Sequence, residues 1–329
     1  MTRGTEERPS ENNGIRRLFL LRHGKAEKLF EGDDRQRPIK TRGKRDAQRV
    51  GAWMQRTGLH LDQVISSPAL RTRTAAEKSV KAMGQSVQCI HDDPCLYDGQ
   101  LVDLLNMIEG VQPKCRHLML VGHKSGLEAL LHYLFPVQES SIRMRKGALV
   151  CIDVMSDWSG FAPETVRWVE QITPDQLPEK FQYPAPNGDF WRDRPAYYYT
   201  QSAVIPYRME NGLLEILVMG SSSGRHWGVP KGIAEPGLSL QDSAAKEAFE
   251  EAGVLGAIDG VVGDYDYPKW GGRCSVAVYS LRVTEVLAEA DWPEFHRGRR
   301  WLSPDAAVAC VEQPELRRLL SRWLQTVKA

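Results

Sequence analysis

Short apolar runs and longer amphipathic segments alternate along the first half of the chain. Residues 17–21 are mostly apolar, as in a buried parallel strand, and residues 44–55 have the apolar spacing of a helix with one packed side. Alternating elements of these lengths predict an α/β fold, with a mostly parallel sheet and helices on both faces. The other predicted strands are 63–67, 87–90 and 117–121, and the other predicted helices are 69–82, 101–108 and 126–134.

The second half of the chain shows strand-like alternation instead. Two pairs of alternating segments each flank a glycine-containing turn, and Asn211-Gly212 is the stronger hairpin signal of the two turns. Together with the helical segments around them, these strands predict a mixed sheet covered by helices. The predicted strands are 200–207, 213–219, 261–267, 275–283 and 300–302, and the predicted helices after them are 304–310 and 314–327.

Length and local composition predict two domains. A chain of 329 residues can form two domains with proper cores. Residues 1–14 are polar and predict a disordered tail rather than a signal peptide. Residues 172–196 are rich in proline and turn residues and predict a linker, which leaves domains at 15–171 and 197–329.

Overall charge and cysteine content narrow the class of protein. The formal net charge is +1, so no global field favours nucleic acid or membrane as a partner. The six cysteines are scattered without a CxxC pair, which suits a reducing compartment and argues against structural zinc. No apolar run approaches the roughly 20 residues of a membrane span. We therefore predict a cytoplasmic protein.

A run of carboxylates is the most informative feature of the second half. Glu247, Glu250 and Glu251 lie on one face if the segment is helical, with Ser239 as its N-cap and Gly253 at its end. Like charges so close together repel each other, whereas a hard divalent cation such as Mg²⁺ prefers carboxylate ligands. The pattern predicts a metal site, and a solvated acidic helix end is the alternative.

The stretch 232–254, GIAEPGLSLQDSAAKEAFEEAGV, resembles the Nudix hydrolase box of Gly, five residues, Glu, seven residues, and Arg-Glu-apolar-x-Glu-Glu-x-Gly-apolar. It departs from the box at Leu238, where the first Glu belongs, and at Lys246, where Arg belongs. The resemblance covers 197–329 and implies an α/β/α sandwich with a mixed sheet that cleaves a diphosphate linkage with Mg²⁺ or Mn²⁺. The implied ligands are Glu247, Glu250, Glu251 and the carbonyl of Lys231, and Glu251, Glu285, Glu289 and Glu294 remain open as the general base.

Basic residues near the box are candidate ligands for a substrate polyphosphate. The stretches WGVPKG and EFHRGRRWLSPDAA are similar to the Nudix branch that hydrolyses diphosphoinositol polyphosphates and dinucleoside polyphosphates. Arginine clusters suit such targets, although a solvated basic turn on a short edge strand is an equal alternative. The candidate residues are Arg225, Lys231, His296, Arg297, Arg299 and Arg300.

Basic residues also follow three predicted strands of the first half. Arg22 and His23 follow the first strand, Arg71 follows the second, and His123 follows the strand 117–121. Carboxyl ends of parallel strands lie at one edge of a sheet, so these side chains are expected to converge. Arginine binds phosphate oxygens and a neutral imidazole can attack phosphorus, which predicts a phosphoryl pocket. A capping or buried role is the alternative for each histidine taken singly.

Five motifs here resemble, in order, those of the histidine phosphatase superfamily, in its small phosphohistidine phosphatase branch. They are LLRHGKAE, RPIKTRGKRDA, SSPALRTRTAAE, LYDG and LVGHKSG, and they span residues 17–170. The resemblance implies a three-layer α/β/α fold and no metal or other cofactor at this site. It implies that His23 is the nucleophile and forms a phosphohistidine, while Arg22, Arg71 and His123 hold the phosphate.

One residue departs from the family pattern, and another is a candidate for a further catalytic role. Lys40 stands where the family usually has Thr. Asp98, in LYDG, is a candidate general acid, and a turn aspartate before Gly99 is the alternative.

The sequence thus favours a bifunctional phosphohydrolase that acts on small phosphorylated molecules, with a phosphohistidine protein as a further possible partner. The alternative is regulatory: a nucleotide-binding Nudix-like domain of weak activity that controls a phosphohistidine phosphatase.

Overall fold

A computed structural model describes residues 15–138, 142–185, 188–221 and 226–327, so the predicted tail 1–14 lies outside the described residues. The chain divides into two compact units, Met1–Glu179 and Lys180–Ala329. The division falls within the predicted linker 172–196. That segment is not irregular throughout, because it contains a short antiparallel hairpin that belongs to the second unit.

The first unit is built on a six-stranded sheet with the order β3-β2-β4-β1-β5-β6. β3, β2, β4 and β1 run parallel, and β5 and β6 extend the sheet in antiparallel fashion. The strands are β1 (Arg16–Arg22), β2 (Gln63–Ser66), β3 (Ile90–Asp92), β4 (His117–Gly122), β5 (Leu149–Val154) and β6 (Val166–Ile172), and the helices are α1 (Thr41–Arg56), α2 (Leu70–Ala82), α3 (Cys95–Asp98), α4 (Leu101–Glu109) and α5 (Lys124–Leu134).

Helices cover both faces of this sheet. In β1, Leu18 and Leu20 face a core that includes residues of α4 and α5, while Phe19 and Leu21 face a core that includes residues of α1 and α2. Because successive side chains of a strand point to opposite faces, a fully apolar strand supplies two cores at once. The three-layer α/β/α fold is therefore confirmed for this unit. The predicted strand 87–90 is wrong for its first three residues, which form a 3₁₀ turn before β3.

The second unit holds a mixed sheet with the order β11-β10-β9-β14-β13, on which β12 pairs with β9 and β15 with β10. β9 and β14 are parallel and the other pairs are antiparallel. The strands are β7 (Phe181–Ala185), β8 (Gly188–Arg192), β9 (Thr200–Glu210), β10 (Leu213–Gly220), β11 (Trp227–Gly228), β12 (Lys231–Ile233), β13 (Val254–Lys269), β14 (Gly272–Val286) and β15 (Arg299–Leu302), and the helices are α6 (Leu240–Ala252), α7 (Pro304–Cys310) and α8 (Pro314–Val327).

Helix α6 packs on one face of this sheet through small residues, and α7 and α8 pack on the other face. This arrangement confirms the predicted α/β/α sandwich. The two hairpin turns, Asn211-Gly212 and Trp270-Gly271, have positive φ angles at both central residues. Such turns match the twist of the paired strands, which explains why a glycine marks each one.

Two further observations bear on the predicted environment. No helix in the described ranges is long and apolar enough to cross a membrane. All six cysteines are free thiols. Localisation in the cytoplasm stays a prediction.

Candidate active sites

The first candidate site lies where β1, β2 and β4 end side by side. His23 directly follows β1, Ser67 follows β2 and His123 follows β4. The imidazole rings of His23 and His123 are edge to face with their centroids 5.2 Å apart, and His123 Nε2 lies 3.0 Å from the Ser67 hydroxyl. The parallel register thus brings two of the predicted residues together, and it adds Ser67 to them.

The ring of His23 is held in one tautomer. Its Nδ1–H donates to the Gly24 carbonyl at 2.8 Å, and a carbonyl can only accept, so the lone pair is on Nε2. Burial, helped by the charges of Arg71 and Arg22, lowers the pKa of His23 from 6.5 to about 3. Burial also lowers the pKa of His123 from 6.5 to about 4. Both imidazoles are therefore neutral near pH 7, and His23 has the protonation state of a nucleophile.

This electrostatic setting predicts that His23 does not titrate in the neutral range. Long-range ¹H–¹⁵N NMR should show His23 as the Nδ1–H tautomer from about pH 8 down to about pH 5, while an ordinary histidine is half protonated near pH 6.5. Because a lowered pKa keeps the neutral base available in acid, kcat/KM should lose no activity to protonation of the nucleophile over that range. A His23 signal that titrates near pH 6.5 would contradict the assignment.

Arg71 is the most buried cation of this site, with 4% of its surface exposed. Its two terminal nitrogens donate to Asp34, at 2.6 Å to the backbone carbonyl and 2.7 Å to the carboxylate. Tyr97 donates its hydroxyl to the same carboxylate at 3.0 Å. Burial of Asp34 opposes its ionisation, but hydrogen bonds from Arg37 and Tyr97 and the charge of Arg71 outweigh it, and its pKa falls to about 2. Asp34 is a permanent anion that orients Arg71.

The contact with Asp34 leaves part of the Arg71 guanidinium for a ligand. Arg71 Nε is buried and has no hydrogen-bond partner within the described ranges, and the same holds for Arg22 Nε. Arg22 is anchored by a 2.6 Å hydrogen bond from one terminal nitrogen to the Met144 carbonyl. An unpaired buried donor costs free energy until an acceptor arrives, which suits an anion such as phosphate.

Asp98, the candidate general acid, is the last residue of helix α3. Its carboxylate is mostly exposed and lies 3.4 Å from Arg35. It lines a cavity of about 300 Å³ that also contains His123, whereas His23 lines a different cavity of about 550 Å³. Asp34 is the acidic residue that contacts Arg71, and the role of Asp98 as general acid stays a prediction.

The second candidate site is built on the Nudix-like box. Ser239 caps α6 by accepting from the backbone N–H of Asp242 at 3.0 Å, and Gly253 ends the helix in the left-handed conformation at φ 60°. Glu247 lies against Gly232 so closely that a Cβ there would fall 1.8 Å from a Glu247 oxygen. A side chain at position 232 would therefore have to displace the Glu247 carboxylate, so glycine in strand β12 leaves a cradle for that carboxylate.

The electrostatics of this cradle favour a bound cation. Burial, followed by the charges of Glu251 and Glu250, raises the pKa of Glu247 from 4.5 to about 8. Burial also raises the pKa of Glu251, which accepts from the backbone N–H of Lys231 at 2.9 Å and from Arg297 at 2.8 Å. Buried carboxylates that repel one another are stabilised by a hard divalent ion. The donor set, carboxylate oxygens and the Lys231 carbonyl, fits such a metal in kind.

The predicted trio is nevertheless not gathered as a ready-made cluster. In the part of the chain that the structure describes, no group of three or more His, Cys, Asp or Glu side chains is placed to hold a metal ion. Glu250 instead pairs with Lys246 at 3.0 Å, and Lys246 also reaches Glu235 at 3.3 Å. Lys246 therefore has two carboxylate partners, although Leu238 offers none.

The four candidate arginines have different surroundings. Arg297 faces the cleft and bridges Glu251 and Glu294, which brings the possible base Glu294 close to the box. Arg299 donates to the carbonyls of Ala252, Gly253 and Leu287 and stacks on Trp292, so the structure does not support a substrate contact for it. Arg300 stacks on Trp227 at 4.1 Å. Arg225 lies outside the described residues.

Lys269 is a cleft residue that the sequence alone did not identify. Lys269 lines the same cavity of about 380 Å³ as Lys231 and Arg297, and the ammonium of Lys231 lies 3.1 Å from the Tyr267 hydroxyl. Burial, followed by the charge of Lys269, lowers the pKa of Lys231 to about 8. Both lysines come from different elements that only the folded sheet brings together, and they give the cleft an affinity for anions.

Comparisons with known proteins match each half of the chain to a family. The model of the NUDIX domain matches residues 199–324, and that of the histidine phosphatase superfamily (branch 1) matches residues 18–97. Nudix hydrolase 16, mitochondrial, from Arabidopsis thaliana is 33% identical over 135 residues, which are 35% of this chain and 74% of that protein. The asymmetrical bis(5'-nucleosyl)-tetraphosphatase of Sus scrofa is 30% identical over 123 residues, which are 36% of this chain and 84% of that protein.

Among solved structures, the protein histidine phosphatase SixA complexed with tungstate is 20% identical and has a TM-score of 0.42, covering 49% of this chain and 98% of its own. The two sequence relatives are 33% and 30% identical and match over 74% and 84% of their own lengths, which is enough to assign the family. The chain belongs to the Nudix hydrolase family, and a histidine phosphatase superfamily domain precedes its Nudix domain.

Proposed function

We propose that the protein is a bifunctional phosphohydrolase, with one activity in each compact unit. The second compact unit, Lys180–Ala329, is the Nudix unit, and it cleaves a diphosphate linkage in a dinucleoside polyphosphate, a diphosphoinositol polyphosphate or a nucleoside diphosphate derivative. The N-terminal unit removes a terminal phosphoryl group through a phosphohistidine. One observation carries the proposal: each unit keeps its reactive group in a specific setting, with His23 fixed on the Gly24 carbonyl and Glu247 cradled by Gly232.

The residues of the N-terminal unit support the following steps. Arg22 and Arg71 bind the phosphoryl oxygens with their buried Nε donors, and Asp34 keeps Arg71 in place. His23 Nε2 attacks phosphorus and the leaving group departs, after which water hydrolyses the phosphohistidine. His123, neutral and hydrogen-bonded to Ser67, contacts the same phosphoryl group. No step needs a metal.

In the Nudix unit, Glu247, Glu250, Glu251 and the carbonyl of Lys231 would hold Mg²⁺ or Mn²⁺, and Nudix domains generally depend on a divalent metal. When bound, such an ion lowers the pKa of a water molecule and neutralises phosphate charge. Arg297, Lys231 and Lys269 face the same cleft and would orient the polyphosphate. The similarity to the pig bis(5'-nucleosyl)-tetraphosphatase supports a dinucleoside polyphosphate as the substrate class.

The two activities can be separated by metal dependence in the intact protein. Diadenosine tetraphosphate, a diphosphoinositol polyphosphate, a nucleotide sugar and an oxidised nucleoside triphosphate are incubated with Mg²⁺, Mn²⁺ or a chelator, and phosphate and nucleotide products are counted. We expect an internal diphosphate to be cleaved only with Mg²⁺ or Mn²⁺. Substrates that carry a terminal phosphate should release it both with metal and with the chelator. If nucleotides bind to the protein without turnover in either metal, the Nudix domain is regulatory and the bifunctional proposal fails.

A further inference from the structure

The cleft in front of His23 is larger than a transferred phosphoryl group requires. It has a volume of about 550 Å³ and is open to solvent on one side, with Arg22 and His23 in its wall. Clefts of about 300–1,000 Å³ typically enclose a whole small molecule. The cleft residues that do not contact the transferred phosphoryl group therefore contact the rest of the substrate and select it.

The unpaired charge in this remainder is positive. Lys28 and Lys146 line the cleft, and neither has an ion-pair partner in the described ranges. The acidic residues of the wall are already neutralised, because Glu27 pairs with Lys40 at 2.7 Å and Asp34 pairs with Arg71 and Arg37. A second anionic group of the ligand would meet two free ammonium groups there.

The position of Lys146 relative to the nucleophile is fixed by the backbone. The N–H of Gly147, which has a left-handed φ of 78°, lies 3.1 Å from the Arg22 carbonyl and 3.2 Å from the His23 carbonyl. The turn before β5 is thereby attached to the end of β1. Lys146 is consequently a neighbour of the reaction centre, at a separation set by two backbone contacts. Phe30 also lines the cleft and exposes 40% of its surface, which offers an aromatic face to a base.

Within the described part of the chain, the cleft also lacks a protonated carboxyl group that could serve as the general acid for a poor leaving group. Among the described residues that line it, the carboxyl groups are those of Glu27 and Asp34, and both are held in ion pairs. An alkoxide must be protonated as it leaves, because an alcohol has a pKa close to that of water, about 16. A phosphate has a second pKa of about 6 and leaves as an anion. The site is therefore suited to a phosphoanhydride and poorly suited to an alkyl phosphate ester.

We propose that the His23 cleft takes a nucleoside diphosphate or triphosphate and hydrolyses its terminal phosphoanhydride bond, with Lys28 and Lys146 on the phosphate that remains. This inference rests on the proposed phosphatase function. His23 Nε2 forms a bond to the terminal phosphorus as the P–O bond breaks, and the electron pair leaves with the shortened nucleotide. Water then forms a P–O bond as the N–P bond breaks, which yields orthophosphate, a proton and neutral His23.

The test compares ADP with p-nitrophenyl phosphate, which has one phosphoryl group and a good leaving group, on the full chain in the presence of a chelator. The variant is the double change Lys28→Ala and Lys146→Ala, and the matched control is Lys44→Ala with Lys114→Ala, two exposed lysines away from the cleft. We expect the cleft variant to lower kcat/KM for ADP by about 10–50-fold and to change p-nitrophenyl phosphate turnover by less than about twofold. The control variant should change neither.

The failures of the two proposals are distinguishable. If the wild type hydrolyses p-nitrophenyl phosphate through His23 but shows no preference for ADP, or if the cleft variant affects both substrates equally, only the inference falls. Preference for a phosphohistidine protein over ADP would also overturn it. If no substrate gives release of phosphate that depends on His23, the proposed phosphatase function falls and the inference falls with it.

Discussion

His23→Ala is expected to abolish release of terminal phosphate by the protein in the presence of a chelator, by at least about 10⁴-fold. The variant removes the atom that forms the covalent intermediate, while Arg22, Arg71 and His123 can still bind phosphate. The loss should therefore be in kcat. Transfer of ³²P from a γ-labelled nucleotide to an acid-labile, base-stable site on the protein should disappear together with turnover, and rapid-quench labelling measures both.

His91→Ala is the matched control, because His91 lies on β3 of the same sheet but is exposed. It should leave labelling and turnover within about twofold of the wild type. Residual activity of His23→Ala near the wild-type level would remove the nucleophile assignment. Loss of labelling with preserved turnover would instead indicate direct attack by water. The assignment of the phosphate-binding pocket would then stand, whereas the covalent intermediate would be refuted.

Much of the fold could be predicted because its signals are local. A run of apolar residues such as β1 can only be buried on both sides, and Asn211-Gly212 fits few turns other than a hairpin turn. The hairpin within 172–196 was not predictable from the same reasoning. Proline and turn residues dominate that segment, and its stability comes from tertiary contacts, for example Arg192 stacked between Tyr183 and Tyr199.

The candidate sites were predictable to the extent that their residues follow strands or share a helix. His23 and His123 lie close together because β1 and β4 are adjacent and parallel. The alternation of elements predicts a parallel sheet with a shared edge, but it does not predict which strands are neighbours. The role of Asp34 was not predictable, since it lies in the loop after β1 and reaches Arg71 only in the folded chain. The same limit applies to Glu235, whose contact with Lys246 depends on how the loop before α6 folds back.

The charges around α6 lead to a second large effect, which concerns Glu247. This carboxylate is expected to destabilise the metal-free protein and to be essential for metal-dependent cleavage by the metal-bound protein. Its raised pKa means that the folded state prefers the protonated form, so its ionisation costs stability as the pH rises above 4.5 toward about 8. Glutamine has the same shape without the charge. A neutral isostere removes the repulsion from Glu250 and Glu251, and it also removes a ligand.

Glu247→Gln should therefore raise the melting temperature of the Nudix unit by several degrees in chelator at about pH 8, since about 1 kcal/mol shifts a unit of this size by roughly 2–4 °C. Addition of Mn²⁺ should stabilise the wild type but not this variant, and metal-dependent cleavage of diadenosine tetraphosphate should fall by at least about 10³-fold. Calorimetry and product analysis measure these quantities.

Glu215→Gln is the control, because Glu215 is a half-buried carboxylate whose partner is Arg208 on the neighbouring strand. Its loss should lower stability slightly and leave the response to Mn²⁺ intact. A Glu247→Gln variant that melts earlier in chelator would show that the charge of Glu247 does not destabilise the metal-free protein. A variant that is still stabilised by Mn²⁺ would show that other residues hold the cation.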